Sequence, residues 1–112
     1  MRTLRTADLF SFARVIKASG IREELVGYLQ TINAESDKQR VGMNTIFMII
    51  EALSDKKAEN AIYDALAPVF EMEASELEAL SPAELFAKLK QMAEENDLPN
   101  FFNSLFGTLG KN

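Results

Sequence analysis

Nucleophilic catalysis needs a hydroxyl, thiol or amine beside a base that takes its proton, and histidine is the commonest such base. This chain has serines, threonines and lysines but neither histidine nor cysteine. Disulfides, thiolate metal sites and a cysteine nucleophile are therefore closed to it. Seventeen carboxylates remain. Two of them can work as acid and base only if they converge on one reacting bond. The candidate pairs are Glu94/Glu95 and Glu71/Glu73. Such close neighbours point to different sides of a helix, so they read as a solvated acidic face. There is no calcium-loop pattern, no Glu-x-x-His pair and no Gly-rich phosphate loop. The expectation is a non-enzyme with no catalytic residue, no cofactor and no metal.

Charge narrows the partner class. The net charge is -5, but residues 1–45 carry a balance of +2 and residues 46–112 a balance of -7. An acidic half repels nucleic acid and favours solubility. The early cations Arg2, Arg5, Arg14, Lys17 and Arg22 read as a solvated helix face rather than a phosphate site. The most basic helix offers only Arg14 and Lys17, short of what a base-reading helix carries, so nucleic acid is not an expected partner. No apolar run reaches the roughly 20 residues that span a bilayer. Asp8, Ser11 and Arg14 interrupt any signal-peptide core. A soluble, intracellular protein with no membrane partner is expected.

The elements that would position any site are helical. Thr6 reads as an N-cap, followed by Leu9, Phe12, Ala13 and Ile16 at helical spacing. Gly20 supplies a left-handed stop. Ile21, Leu25, Tyr28, Leu29 and Ile32 make a second stripe, and residues 33–40 read as a polar loop. Residues 43–53 hold the densest apolar run, which places them at the centre of a bundle. Ser54 or Asp55 caps the next stripe, which runs from Ala58 to Val69 and kinks or ends near Ala67 because Pro68 lies inside it. Ser75/Glu78 and Ser81/Glu84 both have capping-box spacing, and Pro82 sits at a favoured first helical position. Leu85, Phe86, Leu89, Met92 and Ala93 then form an inward face, and Glu84 and Lys88 pair outside it. Asp97 or Asn100 caps the last helix. The fold class is all-α: one domain over residues 1–112, a compact bundle of five to six short helices around the apolar helix 43–53.

The C-terminal stretch carries the strongest signal for a function. Three of the eight phenylalanines lie in residues 98–112. Phe101, Phe102, Leu105, Phe106 and Leu109 fall on one broad face of a short helix. A helix of about ten residues is marginal alone in water, so something must cover that face. Either it docks on its own domain and closes the core, or part of it stays open and captures an apolar partner helix. On the second reading those five residues are the partner-binding site. Met43, Met48, Met72 and Met92 suit an adaptable groove and a core equally well.

The order of these elements resembles the tail assembly chaperones of long-tailed, siphovirus-like bacteriophages and prophages. The likeness lies in Leu9-Phe10-Ser-Phe12-Ala13, the central apolar helix, the acidic step, Ser81-Pro-Ala-Glu-Leu85, Glu94-Glu95-Asn96 and Asn100-Phe-Phe102. The resemblance implies a small acidic helical protein that coats the tape-measure protein and keeps it soluble during tail assembly, with self-association along that client. It also implies a second, longer product made by frameshifting. Gly110-Lys111-Asn112 is compatible with a slippery A-AAA-AAC. The alternative is a small helical regulatory module that binds protein or DNA.

Overall fold

Arg5, one position before the expected Thr6, is the N-cap of the first helix. The Asp8 carboxylate, three residues on, accepts the Arg5 backbone N–H at 2.7 Å and so satisfies a donor that the helix leaves free. The computed structural model describes residues 1–33, 35–53 and 55–109, with side chains through residue 107. Among these residues there are seven helices, rather than five or six, and no strand, so the fold is the all-α bundle expected. They are α1 (Thr6–Ser19), α2 (Arg22–Gln30), α3 (Lys38–Ala52), α4 (Lys56–Phe70), α5 (Ala74–Glu78), α6 (Pro82–Glu95) and α7 (Leu98–Leu109).

Local chemistry sets most of the boundaries. Gly20 adopts φ 73° and ends α1 by donating its N–H to the Ile16 carbonyl at 3.1 Å. Asp37 caps α3 by accepting from the Gln39 and Arg40 backbone N–H groups, so residues 38–40 are the first helical turn and not loop. Asp55 caps α4 by accepting from Ala58 at 2.8 Å; Ser54, the other candidate, lies outside the described residues. Pro68 does not end α4. The helix runs two residues further because Val69 and Phe70 are buried, and Glu71 in the left-handed region then stops it. Ser81 and Glu84 form the expected reciprocal cap on α6. At α5 the box falls two residues early. The Glu73 N–H donates to Glu76 at 2.9 Å, and this phase lets Leu77 point into the core.

α1 packs most extensively on α4, and α3 lies against α1, α6 and α7. The core is filled by Phe12, Val15, Leu25, Ile46, Ile49, Val69, Leu89, Met92, Leu98 and Phe102. α3 is less enclosed than its apolar run suggests. Ile46 and Ile49 are buried, but Met43, Phe47 and Ile50 on its edge toward α6 are only half-buried. It approaches α7 closely at one point. Gly42 lies so near Leu98 that a β-carbon there would stand 2.9 Å from the Leu98 Cβ and Cδ1.

The chain start is clasped to the bundle. Arg2 donates to both carboxylate oxygens of Asp8, at 2.8 and 2.9 Å, and the Arg2 N–H donates to the Val69 carbonyl at 3.0 Å. Asp8 is 2 % exposed, the only buried carboxylate among the described residues. Arg2 is therefore a structural ion-pair partner, not a solvated cation.

Candidate functional site

α7 begins at Leu98, where the Asp97 carboxylate accepts the Asn100 N–H at 3.1 Å. From that cap, Phe102, Leu105 and Phe106 point into the domain and are buried. Phe102 meets Phe12 of α1 edge to face, with ring centres 5.8 Å apart, and Phe101 meets Phe12 in the same way at 5.6 Å. The Arg22 guanidinium of α2 lies 5.7 Å from the centre of the Phe106 ring. Of the five residues considered for partner binding, three thus close the core. The physical reason is a trough between α1, α2 and α3 that this face fills. Phe101 is half-buried and keeps one edge on a shallow cleft of about 560 Å³ that it lines with Leu4 and Leu9. The Leu109 side chain and residues 110–112, including the proposed frameshift tripeptide, lie outside the described residues.

Among the described residues two large apolar side chains are exposed, Phe10 of α1 and Phe86 of α6, and Phe86 borders an open apolar edge between α3 and α6. These helices run antiparallel: Leu85 near the start of α6 neighbours Ile50 and Leu53 of α3, and Ala93 near its end neighbours Met43. Phe86 was expected to face inward. It is instead 50 % exposed, stacked on Phe47 with ring centres 6.0 Å apart and planes 17° from parallel. The reason is phase. Leu85, Leu89 and Met92 form the stripe that meets the core, and Phe86 lies about 100° around the helix from Leu85. Phe86 and Lys90, four residues apart, share the outer edge.

Two clefts divide this surface. One, of about 260 Å³, is lined by Met43, Phe47 and Phe86 under Arg40, Lys90 and Asp37. The other, of about 460 Å³, is floored by Ile50, Ile62, Leu66, Leu77 and Leu85. Its rim is charged. Tyr63 donates to Glu59 at 2.6 Å, and Lys56 bridges Glu59 at 3.4 Å and Glu78 at 3.2 Å. The bond from Tyr63, then the nearby Lys56, holds the Glu59 carboxyl below its usual range. The same bond, with burial, raises the Tyr63 phenol. Met43, Phe47 and Ile50 share one face of α3, so both clefts open along the same helix edge, a strip that runs from residue 43 to residue 53.

The acidic pairs do not converge. Glu71 and Glu73 are exposed, and Glu71 pairs with the Met1 amine at 3.1 Å. Glu94 and Glu95 are exposed, and Glu95 accepts from Gln91. Among the described residues no cluster of Asp and Glu has the geometry to hold a metal ion, and no helix is long and apolar enough to cross a membrane. Arg14 and Lys17 line a broad groove between α1 and α4 with Lys57, opposite Asp55 and Asp64. That groove mixes signs and offers no uniform phosphate track. No protein-family model matches the chain, and neither a curated protein nor a solved structure matches it.

Proposed function

We propose that this chain is a non-catalytic holdase of the tail-assembly kind, which covers apolar helical surface of a tape-measure protein and keeps it soluble. The observation that carries this reading is the open strip of Met43, Phe47, Ile50 and Phe86 between α3 and α6. Stacked, half-exposed aromatics flanked by methionine offer adaptable contact to an apolar helix. From residue 43 to residue 53 the strip runs roughly 15 Å along α3, enough for about three turns of a client helix. The acidic balance of residues 46–112 supplies the repulsion that keeps a loaded complex dispersed.

In this proposal the client sits on the α3–α6 strip. Phe102, Leu105 and Phe106 could reach a client only if α7 left the core. The test is co-expression with the tape-measure protein of the same gene cluster. Phe86→Ser should move that client from the soluble to the insoluble fraction while the helical circular dichroism of the domain stays unchanged. Full client solubility with Phe86→Ser would overturn this reading.

A further inference from the structure

The two ends of the strip differ in sign. At the α3 N-terminal end, Arg40 and Lys90 outnumber Asp37. At the other end, Asp55, Glu59 and Glu78 surround the single cation Lys56. Between them lies apolar surface from Met43 to Ile50, faced by Phe86. A strip that is basic at one end, apolar in the middle and acidic at the other is complementary to itself turned end for end. A two-fold axis through the Phe47–Phe86 pair makes that turn, and it sets the basic end of each copy against the acidic end of the other.

We propose that in the free protein a second copy of this chain covers the α3–α6 strip across such a two-fold axis. The partner follows from charge. Each copy carries -5 and repels another at most approaches, so association requires a face where opposite signs meet. Here they meet twice, once at each end, around a stacked aromatic centre. The inference goes beyond the holdase reading and does not depend on it. If both hold, the dimer is the stored form, and a client helix displaces the second copy from the same strip.

The test is sedimentation velocity on the full chain at low and high salt, with charge-reversed variants. Arg40→Glu with Lys90→Glu makes both ends acidic, and Glu59→Lys with Glu78→Lys makes both ends basic. Each variant alone should be monomeric, with self-association at least tenfold weaker than that of the native chain. An equimolar mixture should form a heterodimer, because both of its ends again carry opposite signs. Salt should weaken the native dimer. Circular dichroism of each double variant should match that of the native chain. A native chain that stays monomeric at all accessible concentrations overturns the proposal, as does a dimer that survives Phe86→Ser or a mixture that fails to pair. A monomeric native chain whose client solubilisation is lost in Phe86→Ser would assign the strip to client alone, removing this proposal and leaving the holdase reading in place.

Discussion

Phe102 and Phe86 are the same residue type, each in the first two turns of a helix opened by a side-chain cap, Asp97 for α7 and Ser81 for α6. Phe102 is fully buried and Phe86 is half exposed. The difference lies in what stands opposite. α7 drops into a trough with α1, α2 and α3 around it, and three edge-to-face ring contacts lock Phe101 and Phe102 to Phe12 and to each other. α6 packs chiefly on α3, and beyond its Leu89–Met92 stripe the edge has only Phe47 to lean on. The helix that carries an aromatic does not by itself determine whether the ring is covered; what packs opposite does.

The largest expected effect breaks the closed region. Phe102→Ala should cost about 3–5 kcal/mol, read by urea denaturation, because the ring's neighbours cannot all collapse into the space. The paired change Phe102→Asp with Phe106→Asp should unfold the domain outright. A folded double mutant would show that α7 is dispensable to the core.

Next is the N-terminal clasp. Arg2→Ala strands the Asp8 carboxylate in a buried setting and should cost about 2–3 kcal/mol. Burial alone would push the Asp8 carboxyl up, but the bidentate Arg2 bonds and the Arg5 N–H together hold it below its usual range. A lowered folded pKa stabilises above the unfolded value, near pH 4, and that contribution is lost as pH falls through the folded value. Without Arg2 the same carboxyl prefers its neutral form, so the stability gap between native and Arg2→Ala proteins should narrow on acidification. A gap independent of pH would detach the clasp from Asp8 ionisation.

Gly42→Ala is expected to cost roughly 1–2 kcal/mol despite the better helix propensity of alanine, because the new methyl meets Leu98 Cβ at 2.9 Å. Combined with Leu98→Ala, which removes the equally close Cδ1 but keeps Cβ, the losses should be less than additive, a sign of direct contact. The smallest effect falls on the open strip. Phe86→Ser should change stability by less than about 1 kcal/mol, since half of the ring already faces water and only its stacking on Phe47 is lost. A loss there equal to that of Phe102→Ala would erase the distinction between the two regions.

Most features decided within one or two turns of chain were legible in the sequence, although the caps of α1 and α5 fall one and two residues earlier than expected. The Gly20 stop, the Asp55 and Asp97 caps and the Ser81-Pro82-Glu84 box all sit where local hydrogen bonding puts them. Features decided across the fold were not. The stripe Leu85, Leu89, Met92 fixes how α6 lies, but whether Phe86 joins it depends on how far α3 reaches. The start of α3 was hidden in a polar stretch whose Asp37 cap resembles loop chemistry. Gly42 then fell outside the expected helix, although its role is to admit Leu98. Arg2 and Asp8 are six residues apart, and nothing local says that the bundle will bury one and pair it with the other.

The Phe12 cluster also has a consequence for synthesis. Phe12 leaves the ribosome about ninety residues ahead of its ring partners Phe101 and Phe102. Leu4 likewise waits for the Asn96 side chain, which accepts its N–H at 3.1 Å. α1 therefore has no complete apolar seat while most of the chain is being made. Sequence-distant closure of this kind slows folding and prolongs exposure of unfinished core. A nascent chain stalled before residue 98 would present Phe12 to its surroundings, so the interval before α7 emerges is when the unfinished core is most open to misassembly.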